Sequence, residues 1–312
     1  MSQATSPLTK NCIKRVAIFA GYKCNNDCRF CVVADKRSFP DKTTEEIKAE
    51  IEEAFSNGAK ELVLTGGECT LRADIFELVS YARKRGYLNI QLQTNGRAFS
   101  SMDFCKKMLL AGLREVGPSL HGHTAELHDF LTRRKGSFRQ TVLGIHNMQK
   151  LTQRKIRILT NTVVTKYNYR FLPQIADLLI NLGVRQYQFA FVHAMGNAYT
   201  SFKQVVPRKT LVLPYIKKGL ERGIKKGVKV MVEAVPLCLM KGYECCVSEF
   251  YIPLTEVREV GFMVERFEEV RVNQGKVRFP KCRTCRYDGV CEGPWKEYPQ
   301  AYGDREFQPV TS

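Results

Sequence analysis

The chain has 312 residues, 44% of them hydrophobic, and carries 49 Lys and Arg against 31 Asp and Glu, a formal charge of +18. Its 18 Phe and 13 Tyr, with no low-complexity tract, exclude global disorder. No apolar run approaches the roughly 18–20 residues of a membrane span, and MSQATSPLTKNC has no apolar secretory segment. The expectation is a cytoplasmic protein without a membrane anchor.

Strand and helix signals alternate along the first two-thirds of the chain. Strand-like runs are predicted at Arg15–Ala20, Glu61–Thr65, Asn89–Gln93, Arg114–Leu120, Ile156–Val164 and Gln186–Val192. The clearest helix is Thr43–Asn57. Thr43 and Glu46 form a capping box, Ile47, Ile51 and Ala54 share one face, and Gly58 ends it. Further helices are predicted at Arg72–Arg85, Ser100–Ala111, Ser137–Leu151 and Phe171–Asn181. Alternation of this kind implies right-handed crossovers and a parallel sheet. Six units rather than eight predict an α/β fold, a partial open (β/α)6 TIM-type barrel. The chemistry of such folds collects at the C-terminal ends of the strands. Between Phe202 and Val230, nine Lys and Arg face Glu221 alone, which reads first as a solvated helix face and second as an anion-binding surface.

The pattern changes near Val228. Val228–Ala234 reads as a strand, followed by paired cysteines and KCRTCRYDGVCEGPWKEY. The expectation is a barrel domain over 1–227 and a small C-terminal iron–sulfur domain over 228–312. A unit of that size has too little bulk for a strong core of its own, so a metal site would help to hold it.

Twelve cysteines without a signal peptide point away from a disulfide scaffold and toward metal ligation. Cys12 and Cys105 read as plain buried residues. The cluster Cys24, Cys28 and Cys31 sits on a loop directly after the first strand. Three thiolates at that spacing can hold three irons of a [4Fe–4S] cluster and leave one iron open. A three-cysteine zinc site completed elsewhere is the alternative.

This segment, CNNDCRFC with Phe30 before the last cysteine, resembles the signature of the radical S-adenosylmethionine (radical SAM) enzymes. TGGECT, Thr65–Thr70, resembles the Gly-Gly-Glu segment on the second strand of that superfamily. The resemblance runs from about Val16 to Val192. It departs at Cys69, where many relatives carry Pro; a harmless substitution is the favoured reading over a ligand or reactive thiol. The resemblance implies that Cys24, Cys28 and Cys31 ligate a [4Fe–4S] cluster whose open iron is chelated by S-adenosylmethionine (SAM). An electron from a donor such as ferredoxin or flavodoxin would cleave SAM to a 5′-deoxyadenosyl radical, which abstracts hydrogen from substrate.

The methionyl ammonium of SAM needs acceptors, and Glu68 with the Gly66 and Gly67 carbonyls can supply them. Ser119 and Arg133 are candidates for the SAM carboxylate, and Asn161 resembles an Asn that approaches the ribose. His121, His123 and His128 are expected to line the substrate mouth, with Asp129 orienting one of them. Thr94-Asn95-Gly96 is either a turn or a polar group facing the cavity.

Cys282-x2-Cys285-x5-Cys291 fits a zinc ribbon by spacing. Beside the first cluster it resembles the auxiliary modules called SPASM and twitch. Trp295 stands where a further SPASM cysteine would fall, so the resemblance implies one auxiliary [4Fe–4S] cluster of the twitch type. Cys238 is the first choice for fourth ligand, with Cys245, Cys246 or an open iron as alternatives.

Relatives of this kind modify peptides or small molecules. The chain ends in PVTS rather than the Gly-Gly tail of the enzyme for the nucleotide step of molybdopterin synthesis, which argues against that step. The reading leans to peptide modification, with a separate recognition partner. Maturation of a small-molecule or pterin-type cofactor is the alternative. RNA modification ranks third. A non-catalytic iron–sulfur or zinc protein binding nucleic acid stays open as another class, although +18 alone shows no base-stacking or groove-reading element, so nucleic acid is an unlikely partner.

Overall fold

The computed structural model describes residues 14–153 and 155–311; Cys12 lies outside them. Six strands follow the expected order: β1 (Lys14–Phe19), β2 (Ala59–Thr65), β3 (Asn89–Thr94), β4 (Glu115–Pro118), β5 (Arg157–Val164) and β6 (Gln186–Phe191). They pair in parallel, each with its sequence neighbour. β7 (Lys229–Glu233) adds to β6, and β8 (Thr255–Arg258) adds to β1 at the far edge. β9 (Met263–Val264) closes that edge antiparallel to β8. The sheet order is β7-β6-β5-β4-β3-β2-β1-β8-β9, an open parallel barrel sheet. The chain beyond residue 228 thus contributes a strand to each side of the six-stranded body.

The crossover helices are α1 (Thr44–Ser56), α2 (Ile75–Arg85), α3 (Met102–Ala111), α4 (Ala125–Thr132), α5 (Ser137–Leu151) and α6 (Leu172–Asn181). The α1 capping box forms as the sequence requires, with Thr43 and Glu46 satisfying each other's end of the helix. Ile47, Ile51 and Ala54 are fully buried against the sheet. Truncating either isoleucine to Ala should cost about 2–5 kcal/mol.

α2 begins three residues later than the periodicity predicts. Arg72 is drawn out of the helix by Asp74, at 2.8 and 2.6 Å, and by the carbonyls of Ala20 and Lys42. The short α4 within SLHGHTAELHD escaped the periodicity reading; Thr124 caps it by accepting from the Leu127 amide.

Two short helices, α7 (Asn197–Thr200) and α8 (Phe202–Val205), precede α9 (Lys209–Lys225). Most of the basic run on α9 is exposed, but Lys209 departs from the solvated-face reading. It is fully buried, donates to the Ala234 carbonyl at 2.7 Å, and sits 3.2 Å from the centre of the Phe191 ring. Farther on, α10 (Phe267–Val270) packs near β8 and α11 (Glu297–Tyr302) ends the ordered elements.

Candidate active site

Side chains alternate across each strand, so helix-facing and lumen-facing residues can be separated. On β6, Tyr187 donates to the Gly219 carbonyl of α9, which places Tyr187, Phe189 and Phe191 toward the helices. Gln186, Gln188 and Ala190 therefore face the lumen. The same alternation puts Leu159 and Asn161 of β5 and Met231 and Glu233 of β7 on that side.

Cys24, Cys28 and Cys31 lie together on the loop after β1, all half-buried and free of disulfides. Burial raises the Cys24 thiol above its ordinary range. The Cys28 thiol is raised further, first by burial and then by Cys31 and Cys24. Three crowded thiolates are electrostatically costly alone, and a cationic cluster relieves that repulsion.

The Gly-Gly-Glu segment grips this loop. The Gly67 amide donates to the Gly21 carbonyl at 2.9 Å, and the Glu68 amide to the Lys23 carbonyl at 2.7 Å. A Cβ on Gly67 would overlap the carbonyl oxygens of Lys23 and Tyr22, so only glycine permits the approach. Among the described residues the Gly66 and Gly67 carbonyls accept no hydrogen bond, which leaves them available to an ammonium group.

Glu68 is buried and densely bonded. Its Oε1 accepts from the Thr70 amide (3.2 Å) and from the Thr70 and Thr94 hydroxyls (2.6 Å each), while Oε2 accepts from the Asn95 amide at 2.6 Å. A carboxylate offers about four acceptor positions, and Oε2 keeps one free. Glu68 therefore fastens the end of β2 to the end of β3 and has capacity for one further donor.

Asn95 passes the connection on, donating its side-chain amide to Asn25 Oδ1 at 2.6 Å. Arg97 adds contacts to the Asn25 carbonyl (2.7 Å) and Asn26 Oδ1 (3.0 Å). Thr94-Asn95-Gly96 is thus a bracket for the cysteine loop. Asn25, Asn26 and Arg97 were missed at the sequence level; the signal was two Asn inside the cysteine motif and a cation directly after Gly96.

Ser119 and Asn161 are brought side by side by a parallel bridge between their strands. Asn161 Oδ1 is buried without a hydrogen-bond partner. An orphaned acceptor in a lumen is a place for a ligand hydroxyl or amine. The polar row continues through Gln188, opposite Asn161 in the β5–β6 register, and Gln188 donates to Glu233 at 2.7 Å. Burial, and then Glu249, push the Glu233 carboxyl up to about 6.

Arg133 takes a left-handed backbone conformation and pairs with Asp27 at 3.3 Å, on the exposed side of the cysteine loop. Cys69 is a packed residue, its thiol near the carbonyls of Leu64 and Gln93.

Two of the three histidines are packed into the protein rather than lining a mouth. His121 and His128 are buried, and the His128 Nδ1 accepts from the His121 amide while its Nε2 meets the Ser137 hydroxyl. Burial drives both rings toward the neutral form, His128 down to about 4. His123 stacks on Phe171. Asp129 orients none of them: it accepts from the amides of Gly136 and Phe138 and so anchors the start of α5.

Far along the chain, Cys238, Cys282, Cys285 and Cys291 line one cavity, together with Val277, Gly293 and Pro294. Burial, then the other three thiols, push Cys238 up to about 12. Neither Cys245, which is exposed, nor the buried Cys246 lines this cavity. Among the described residues no three His, Cys, Asp or Glu side chains converge on a single metal-ion position; a cubane asks its ligands to reach separate corners.

The cavity wall is tied to the barrel mouth by Trp295, whose ring stacks on His193 at 3.8 Å and lies 3.9 Å from Lys276 Nζ.

Comparison with known proteins follows the same outline. The family model of the radical SAM superfamily matches residues 18–179. The AdoMet-dependent heme synthase of Methanosarcina barkeri is 29% identical over 324 residues, covering 90% of this chain and 90% of that protein. The Fe-coproporphyrin III synthase of the same organism is 35% identical over 159 residues, half of this chain and 38% of that one. The crystal structure of Streptococcus suis SuiB bound to S-adenosylmethionine superposes with a TM-score of 0.69 at 14% identity, covering 95% of this chain and 76% of that one. No helix of the described residues is long and apolar enough to cross a membrane.

Proposed function

The chain belongs to the radical SAM superfamily, and from that premise we propose that it acts on a small molecule of the cofactor-maturation type rather than on a peptide. When bound, the [4Fe–4S] cluster and SAM supply a 5′-deoxyadenosyl radical that abstracts hydrogen from substrate. Cys24, Cys28 and Cys31 would hold the cluster. Glu68 Oε2 and the Gly66 and Gly67 carbonyls would accept the methionyl ammonium, with Asn161 Oδ1 and Ser119 turned to the ribose and carboxylate. The bracket of Asn95 and Arg97 keeps the loop in place while the strands wall the lumen from water.

The observation that carries the substrate class is the end-to-end similarity to a heme synthase. It favours the small-molecule reading over the peptide modification to which sequence alone leaned. The polar row from Ser119 to Glu233 supports a substrate held by several hydrogen bonds.

An auxiliary [4Fe–4S] cluster in the 228–312 unit is part of the same proposal. Its support is the shared cavity of Cys238, Cys282, Cys285 and Cys291. Arg133, held at Asp27, is a weaker fit to the SAM carboxylate than Ser119.

The test uses anaerobically reconstituted, reduced protein with SAM. Fe-coproporphyrin III should be consumed, with 5′-deoxyadenosine formed above the rate without substrate. Stimulation by a short peptide encoded beside the gene, with the tetrapyrrole inert, would restore the peptide reading.

A further inference from the structure

We propose that the outer face of the cysteine loop is the docking surface for an acidic one-electron carrier protein; the proposal rests on the radical SAM reading of that loop. Two segments hold the loop from outside. The Asp27 and Arg29 amides donate to the carbonyls of Thr132 and Leu131, both at 2.9 Å, and Asn197 donates to the carbonyls of Cys28 (2.8 Å) and Cys31 (2.9 Å). Whatever seats on these segments lies within a residue or two of the thiolates.

The face is built like an interface. Its apolar part is Val32, Phe130, Met195 and Tyr199, all large side chains left 40–66% exposed. Isolated exposed apolar residues need no explanation, but Val32 lies on the loop itself and Phe130, Met195 and Tyr199 on the two segments that hold it, so four gather around one loop. Beside them runs RRKGSFR, in which Arg133, Arg134, Lys135 and Arg139 are exposed. The Arg29 guanidinium lies 4.0 Å over the Phe130 ring, so cation and apolar surface are continuous.

The nearby acids are largely spent. Asp27 is paired with Arg37 and Arg133, and Asp129 is bonded to backbone amides. Glu126 remains exposed on α4. Arg134, Lys135 and Arg139 have no ion-pair partner among the described residues. An apolar centre beside uncompensated cations fits a partner with an acidic surface, steered by charge and seated by apolar contact. The step it serves is balanced: one electron leaves the carrier's reduced centre and enters the cluster, with no bond made or broken and no proton moved.

The test is binding and reduction of the holoenzyme by flavodoxin. Binding is read from flavin fluorescence between about 50 and 200 mM salt, where surface charges become screened. Arg134→Glu with Lys135→Glu should raise Kd about tenfold at the lower salt and flatten its salt dependence. Reduction of the cluster by flavodoxin hydroquinone should slow by a similar factor, while reduction by titanium(III) citrate stays within twofold. Lys225→Glu with Lys226→Glu at the C-terminal end of α9 makes the same charge change elsewhere and should move Kd less than twofold. Equal losses in both double variants, or wild-type binding in the first, would overturn the docking surface. So would a wild-type protein that binds neither flavodoxin nor ferredoxin, or one whose RRK segment is needed only for a short DNA duplex. Failure to form 5′-deoxyadenosine with titanium(III) citrate would instead overturn the radical SAM reading itself.

Discussion

The Glu68 carboxylate accepts the Asn95 backbone amide at 2.6 Å, so the end of the second strand sets the position of the residue that holds Asn25 inside the cysteine loop. Replacing Glu68 with Gln removes an acceptor oxygen and places an amide donor among donors. A buried group left in that state costs about 1–3 kcal/mol. Glu68→Gln should lower the urea midpoint accordingly and depress substrate-independent 5′-deoxyadenosine formation at least tenfold. Unchanged nucleoside yield would show that the loop is held without this carboxylate.

Gly67 gives a purely steric test. Its Cβ would meet two backbone carbonyls, which cannot swing aside as a side chain can. Gly67→Ala should therefore displace the cysteine loop and lose the iron of the first cluster, while iron at Cys238, Cys282, Cys285 and Cys291 is retained. Full iron content with unaltered SAM cleavage would refute the close-packed grip.

Burial of His128 should make the fold acid-labile. Burial brings the folded-state value down to about 4, whereas an unfolded His titrates near 6.5. Below that upper value the unfolded chain takes up a proton that the native ring refuses, so stability is present above it and lost as pH falls toward 4. Two and a half units correspond to roughly 3 kcal/mol. The equally buried His121 acts in the same direction. Urea unfolding between pH 7 and 4.5 should show the decline, and His128→Asn should flatten it. A decline of the same size in the variant would assign it to other groups.

Legibility in the sequence followed the range of the interaction. α1 could be read because Thr43, Glu46, Ile47 and Ile51 act within two turns. The cysteine loop and Gly66–Glu68 could be read because their chemistry is carried by residue type at fixed spacing. What escaped depends on contacts between distant segments. Arg97 matters only because β3 ends beside the cysteine loop, and His121 and His128 were misplaced because their burial follows from contacts with Ser137 of α5, with Val163 of β5 and with Asn168 just after it. Lys209 looked like one more exposed cation until its carbonyl partner, Ala234, was placed 25 residues later. The place of β8 beside β1, with Arg15 opposite Thr255, likewise depends on register across more than 200 residues, which periodicity does not encode.

Removing the three loop cysteines together, as Cys24→Ala, Cys28→Ala and Cys31→Ala, should abolish 5′-deoxyadenosine formation. The two proposed [4Fe–4S] clusters would give about eight irons per chain, and this variant should keep about four. Iron falling to zero with one zinc per chain would make the second cysteine site structural zinc.

Removing Cys238, the proposed fourth ligand, distinguishes a closed auxiliary site from an open one. Cys282, Cys285 and Cys291 lie within ten residues and approach the cavity from one segment, so the remaining corner of a cubane must come from elsewhere in the chain. Cys238 follows β7 and lines that same cavity, where burial and the other three thiols already push its own thiol up to about 12. A cationic cluster would reverse that penalty, because metal ligation holds a thiolate deprotonated outright. Losing one thiolate leaves a corner that packing cannot fill, and a small unit gives up stability with its metal. Cys238→Ala should lower auxiliary iron and the unfolding temperature, and should spare SAM cleavage more than substrate turnover. Cys245→Ala and Cys246→Ala, outside the cavity, should keep full iron. Loss of iron in one of those variants but not in Cys238→Ala would name a different ligand, and full iron with an unchanged cluster spectrum in all three would point to an iron left open for substrate.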